Sequence, residues 1–235
     1  MYLTRFRFNT ARADARRLLS SPQTTHAAVM SSFPELLPTA PQGPRVLWRV
    51  DHNATAEVML YVVSPARPDL THLVEQAGWP AATASGTPGW QTYAYTPFLE
   101  KLDKGTLWNF RLTANPVHHV RIKDGAPTKR TAHLTARHQM QWLLQRQEAA
   151  GFRITVKPAD RQYTEHGDEH QLAVHGQRNL AFTKRGANGP VTLTAVTFDG
   201  RLEVTDPDVL RNVLTSGLGK AKAYGCGLMT LAPIG

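Results

Sequence analysis

Residues 217–235 read GLGKAKAYGCGLMTLAPIG, with four glycines in the first eleven positions and an apolar tail after them. Glycine allows positive φ angles and the close approach of another backbone. Lys220 and Lys222 add two cations, and backbone N–H groups in such a loop can bind phosphate oxygens. The spacing matches neither the GxxxxGK[ST] phosphate loop nor the GxGxxG dinucleotide fingerprint. The stretch therefore predicts a loop and a final strand, and leaves open whether the loop binds phosphate or only ends a helix.

The segment before this loop carries the signals of a helix. In DPDVLRNVLTSG, Asp206 is a preferred N-cap residue, Pro207 suits the first turn and Gly217 is a natural C-terminal stop. Further back, the hydrophobic patterns predict a helix at about 136–150 and several strands. One of these strand segments, VTLTAVTFDGRLEVTD, predicts a hairpin about Asp199-Gly200, because Asp-Gly is a preferred two-residue turn.

The order of these elements along the chain indicates the fold class. It reads β-α-β-β-(α)-β and then β-α-β-β-β-α-β. This order predicts an α+β fold of two tandem ferredoxin-like (RRM-like) domains with antiparallel sheets. We expect the domains at residues 1–100 and 106–235.

Composition limits the partners and the compartment. The 235 residues include 27 Lys+Arg against 18 Asp+Glu, a net charge of +9, which favours nucleic acid over an acidic membrane as partner, although a merely basic protein has the same charge. The single cysteine, Cys226, excludes an internal disulfide and a cysteine zinc site, and fits the reducing cytoplasm. No apolar run approaches the roughly 20 residues that span a bilayer, so we expect no membrane partner.

Three stretches connect the chain to a known family. The glycine pattern with its continuation KAYGCGLMTLAP (222–233), the segment RVLWRVD (45–51) and the segment WNFRLTANP (108–116) resemble the CasE family, the crRNA-maturation endoribonucleases of the type I-E Cascade complex. The resemblance implies that the chain binds the hairpin of the CRISPR repeat and cleaves precursor crRNA at its base. It implies attack by the 2′-hydroxyl without metal or small-molecule cofactor, giving a 2′,3′-cyclic phosphate. It also implies that the protein stays on the mature crRNA with the other Cascade subunits.

His26 is the candidate catalytic residue, in the first domain. Metal-free cleavage requires proton transfer near neutral pH, and histidine has an unperturbed pKa of about 6.5. The resemblance selects His26, in SPQTTHAAVM, from ten histidines. Some family members have tyrosine three residues earlier, where this chain has Gln23, whose amide can donate to a phosphate oxygen but cannot act as acid or base. The hydroxyl of Thr25 is a second candidate for positioning the phosphate.

The candidate RNA-binding residues fall into three groups of basic or loop positions. Cations and helix N-termini bind phosphates, and A-form RNA is recognised mainly through its backbone and shape. Tyr224 can either stack on a base or pack inward. The candidates are Lys129, Arg130 and Arg137; Arg153, Lys157 and Arg161; and Gly217, Gly219, Lys220, Lys222, Gly225 and Gly227 in the loop.

Two other functions remain open. The first is a non-catalytic RNA-hairpin-binding subunit of the same fold, in which His26 is incidental. The second is a metal-dependent nuclease using HGDEH (166–170), although the motif lies in a polar loop with no partner cluster, which favours a solvated loop over a metal site. We therefore predict no metal site.

Overall fold

The computed structural model describes residues 1–35, 43–53, 57–79, 89–120, 128–163, 167–183 and 189–234. Its strands are β1 Tyr2–Phe8, β2 Leu47–His52, β3 Val58–Ser64, β4 Trp90–Ala94, β5 Leu107–Ala114, β6 Val117–Val120, β7 Lys129–Ala132, β8 Phe152–Ile154, β9 Leu172–Thr183, β10 Pro190–Val204 and β11 Met229–Ala232. Its α-helices are α1 Ala13–Leu19, α2 Pro22–Met30, α3 Thr71–Ala77, α4 Thr96–Glu100, α5 Ala136–Leu144 and α6 Pro207–Ser216. None of these helices is both long and apolar enough to span a membrane.

The first sheet has the strand order β2-β3-β1-β4, with every pair antiparallel. β1 shows why it forms. Phe6 and Phe8 are buried while Arg5 and Arg7, which alternate with them, are exposed. The phenylalanines join one core with buried residues of α1, α2 and α3, which therefore cover the same face of the sheet.

The second sheet repeats the arrangement of the first. Its order is β11-β5-β10-β8, so in both sheets the first and third strands of the unit are central and its second and fourth are at the edges. β9 also pairs with β10, and β6 and β7 form a separate hairpin between β5 and α5. The predicted α+β fold of two ferredoxin-like domains with antiparallel sheets is confirmed.

The two sheets meet at an interface with an apolar and a polar part. Leu47 and Val63 of the first sheet join the core of the second, together with residues around α4, a helix that we did not predict. Beside them Arg49, which is 2% exposed, donates to both carboxylate oxygens of Asp51 at 2.6 and 2.9 Å and to the carbonyl of Arg111 at 2.8 Å. The bounds 1–100 and 106–235 stay a prediction.

Two local predictions were wrong. Residues 136–150 form the shorter α5 and a separate 3₁₀ turn at Glu148–Ala150. There is also no hairpin at Asp199-Gly200, because β10 continues through both residues in register with β5. Gly200 is needed for a close approach instead: a Cβ there would lie 2.3 Å from the carbonyl oxygen of Gln171. The real hairpin partner of β10 is β9.

Candidate active site and nucleic-acid interface

The short helix α2 positions His26 at the surface between the domains. Pro22 occupies its first turn, and the buried Thr25 donates its hydroxyl proton to the carbonyl of Leu18 at 2.7 Å, which ties α2 to α1. This bond gives Thr25 a structural role and commits the proton that we expected to reach the phosphate. Gln23 lies one turn before the half-buried His26, on the same side of the helix.

Trp48 of β2 determines which nitrogen of His26 is available. Its Nε1–H donates to Nδ1 of His26 at 3.4 Å, and Trp48 itself is only 4% exposed. Burial lowers the pKa of His26 below its usual 6.5, so the imidazole is mostly neutral at pH 7. Because Nδ1 accepts, the proton of the neutral ring is on Nε2, and that nitrogen is the one a substrate can reach.

The glycine loop, residues 217–227, is held by its own backbone. The N–H of Gly217 donates to the carbonyl of Val213 at 2.8 Å, that of Leu218 to Gly227 at 2.9 Å and that of Gly227 to Thr113 at 2.7 Å. The loop therefore ends α6, as predicted, and leads into β11. These three N–H groups are used within the protein and are not available to a phosphate.

Gly225 brings this loop against the active site. Its φ is +78°, and a Cβ at this position would lie 2.8 Å from the ring of Trp48. Trp48 is therefore packed by the glycine loop and also donates to His26. The structure thus brings together the loop and the histidine, which are about 200 residues apart in the sequence.

Two predicted RNA-binding residues line a large cavity next to this cluster. Arg130 of β7 and Lys220 of the loop are exposed and border a space of about 610 Å³, which we call the stem cavity. Tyr224 also lines it and packs edge-on against Phe182 with ring centroids 4.7 Å apart, the inward arrangement of the two expected. Lys222 is half-buried, and burial, followed by the nearby Arg45 and Lys220, lowers its pKa.

Two other predicted RNA-binding residues, Arg153 and Lys157, lie apart from this cluster, and Arg161 is exposed in the 3₁₀ turn Ala159–Arg161. Arg153 of β8 pairs with Glu203 of β10, whereas Ala195 of β10 borders the cavity beside Trp48. Those two β10 positions are separated by about 26 Å of strand. Lys157 forms an ion pair with Asp168, and Arg137 is exposed in the first turn of α5. The backbone of Lys129 begins β7.

Three basic residues between the domains were not predicted from the sequence. His52 of β2 and His175 and Arg178 of β9 line a groove of about 330 Å³, which we call the bulge groove. Burial, followed by the charge of Arg178, lowers the pKa of His52, and Asp51 opposes this shift. The available signal was Gly176, a glycine inside a predicted strand, which often marks an irregular position.

In the described part of the HGDEH motif, the carboxylate of Asp168 has partners within the protein. Asp168 accepts from the side chain of Lys157 and from the N–H of Tyr163 at 2.7 Å. Residues 164–166 lie outside the described residues, and among the described ones no group of three His, Cys, Asp or Glu residues has the geometry of a metal site. Cys226 is fully buried, and burial raises the pKa of its thiol to about 12, so it is a poor nucleophile.

Two ferredoxin-like domains, a half-buried histidine and a basic cavity beside a glycine loop define a candidate nucleic-acid-processing protein. The chain belongs to the CRISPR-associated protein family, whose model matches residues 1–233. This confirms the predicted membership of the CasE family.

Individual relatives support the same assignment over the whole chain. The CRISPR-associated endoribonuclease Cse3 of Thermus thermophilus is 30% identical over 236 residues, covering 99% of this chain and 100% of that protein. The Cascade subunit CasE of Escherichia coli is 28% identical over 200 residues, covering 80% of this chain and 89% of that protein. The structure of Thermus thermophilus Cse3 bound to an RNA representing a pre-cleavage complex has a TM-score of 0.74 at 28% identity, covering 99% of this chain and 98% of that one.

Proposed function

We propose that this protein is an endoribonuclease that binds the CRISPR repeat hairpin, cleaves precursor crRNA without a metal, and remains on the mature crRNA as a Cascade subunit in the cytoplasm. The main observation behind this proposal is the position of His26, which is half-buried, accepts from Trp48 and lies beside the glycine loop. The relatives named as a CRISPR-associated endoribonuclease and a Cascade subunit support it.

The geometry assigns His26 the role of proton donor. In the neutral ring Nδ1 accepts from Trp48 and the proton is on Nε2, and in the charged ring both nitrogens carry protons, so Nε2 has a proton in either form. In the charged form, Nε2 gives its proton to the departing 5′-oxygen as the bond from that oxygen to phosphorus breaks. The 2′-oxygen bonds to phosphorus and the proton of the 2′-hydroxyl passes to solvent water, which leaves a 2′,3′-cyclic phosphate. Gln23, one turn away, can donate its amide to a non-bridging oxygen and stabilise the added negative charge.

The stem cavity supplies the binding surface for the hairpin. Arg130 and Lys220 border it from different elements and can contact phosphates of the stem. Such contacts recognise the shape and backbone of A-form RNA, whose deep major groove hides the base edges.

The test is cleavage of a repeat hairpin RNA in EDTA. Wild-type protein, His26→Ala and His26→Gln are compared on all-ribose RNA and on RNA with a 2′-deoxy scissile nucleotide. We expect cleavage only by wild type on all-ribose RNA, with a cyclic phosphate on the product. Binding without cleavage in every combination would support the non-catalytic subunit instead. Activity that requires a divalent metal and survives His26→Ala would support the metal-dependent nuclease.

A further inference from the structure

A bulge in β9 shapes the bulge groove. In the pairing of β9 with β10, Arg178 stands opposite Ala195 and His175 opposite Thr197, so two β9 residues face the single residue between them. Gly176, with a φ of +62°, is one of the two. Because Ala195 and Thr197 are two apart on one strand, they share a face of the sheet. The bulge therefore puts His175 and Arg178 on that same face, although they are three residues apart.

Around the bulge, this face of the second sheet is open to solvent. The β10 residues that point the other way, Val196 and Phe198, are completely buried in the core, whereas His175 and Arg178 are exposed. His52 borders the groove from the first domain. The groove is thus formed by both domains.

The charge of the groove is positive where a ligand can reach it. Asp51, the carboxylate that lines the groove, already accepts from Arg49 at 2.6 Å. Asp199, next to the groove, accepts from Arg111 at 2.7 Å and lies 2.9 Å from Nε2 of His175. Arg178 and His52 are left as donors, and Arg178 makes no ion pair among those of the described residues.

The groove continues from the active site in the direction away from the stem cavity. Positions along β10 give the order: residues 191–194 border the stem cavity, Ala195 borders the small cavity beside Trp48, and Thr197 borders the bulge groove. Arg178 and His52 line both the small cavity and the groove. A strand that leaves the stem at the active site therefore meets these two side chains next.

We propose that the bulge groove binds the phosphodiester backbone of the single-stranded RNA that adjoins the stem at the scissile phosphate. This inference rests on the proposed function, because it takes the active site as the point where stem and single strand meet. Arg178 contacts a phosphate at the entrance, His52 contacts the same strand from the first domain, and His175 lies farther along the groove. The groove thus holds the strand on one side of the scissile bond while the stem cavity holds the duplex on the other.

The experiment measures how much a single-stranded flank improves binding. Three RNAs with a 2′-deoxy scissile nucleotide are used: the stem alone, the stem with a 5′ flank and the stem with a 3′ flank. The readout is the ratio of the Kd for the stem alone to the Kd for each flanked RNA. Arg178→Gln and His52→Gln are tested separately, since they lie in different domains. Arg67→Gln, at an exposed position between β3 and α3, is the matched control.

For wild type and Arg67→Gln we expect one flank to raise the ratio well above 1, and that flank identifies the bound strand. In both groove variants the ratio falls towards 1. For Arg178→Gln the salt dependence with that flanked RNA also becomes shallower, by about 0.7 in the log–log slope for the lost contact between a cation and a single-stranded phosphate. His52→Gln replaces a mostly neutral imidazole and leaves that slope unchanged at neutral pH. A ratio of 1 for wild type with both flanks, or unchanged ratios in both folded variants, would overturn the proposal. Cleavage of all-ribose RNA in EDTA is measured in parallel: flank binding without cleavage by wild type would reject the proposed function and leave the groove in place.

Discussion

Replacing Gly225 with alanine tests whether the glycine loop positions the catalytic histidine. The change adds a methyl group at a φ of +78°, where a left-handed conformation costs an L-residue about 1–2 kcal/mol. The new Cβ would lie 2.8 Å from the buried ring of Trp48, so the ring or the loop must shift by several tenths of an ångström. Overpacking of this kind costs about 1–3 kcal/mol more. We therefore expect a total loss of about 2–5 kcal/mol in the free energy of unfolding.

Gly105→Ala separates the two contributions. Gly105 has a φ of +83°, but a Cβ there would have no atom within 4 Å. This variant has the backbone strain but not the clash. Urea unfolding at one temperature gives the loss of unfolding free energy for each variant, and the difference between the two losses is the cost of the contact with Trp48. Single-turnover cleavage of a repeat hairpin in EDTA, with saturating protein, then reports the effect on the site.

The two variants should differ in cleavage rate as well. Movement of Trp48 displaces the donor to Nδ1 of His26, and a misplacement of about 1 Å in an active site can cost up to about 100-fold in rate. We expect Gly225→Ala to lose at least about tenfold and Gly105→Ala to match wild type. Equal losses of stability, or a folded Gly225→Ala protein that cleaves at the wild-type rate, would refute the reasoning.

Three further predictions concern buried groups. Trp48→Phe removes the N–H that donates to the neutral form of His26, so the pKa of His26 rises. The cleavage rate, which falls as His26 loses its proton, should then fall at a higher pH than in wild type. An unchanged pH–rate profile would contradict this. Arg49→Ala leaves the buried Asp51 with only the longer, 3.6 Å contact to Arg111 and should cost about 3 kcal/mol in urea unfolding, and Arg49→Ala/Asp51→Ala should lose less than the two single variants together. Burial lowers the pKa of His133, so below about pH 6.5 the unfolded chain binds more protons at this site and stability falls. His133→Gln should therefore show a smaller drop in Tm between about pH 7.5 and 5.5, and a drop equal to that of wild type would count against this assignment.

Local signals in the sequence were sufficient wherever a feature depends on neighbouring residues. Asp206 caps α6 by accepting from the N–H groups of Asp208 and Val209, and Gly217 ends that helix with a φ of +81°, as the residue types predict. The alternation in β1 likewise predicts its buried face. These features need only a few consecutive residues. The order of the helices and strands that they predict, which occurs twice along the chain, was enough to predict two ferredoxin-like domains.

The composition of the site depends on contacts between distant residues. The sequence by itself determined the fold class, both ends of α6 and, through the family resemblance, His26 as the catalytic candidate. Tertiary structure alone decided that Trp48 lies between His26 and Gly225, that Gly200 continues a strand instead of turning it, and that a bulge aligns Arg178 with His175. The physical reason is that sheet register and the packing of one domain on another are set by the sum of many weak contacts across the chain, which no short stretch of sequence contains.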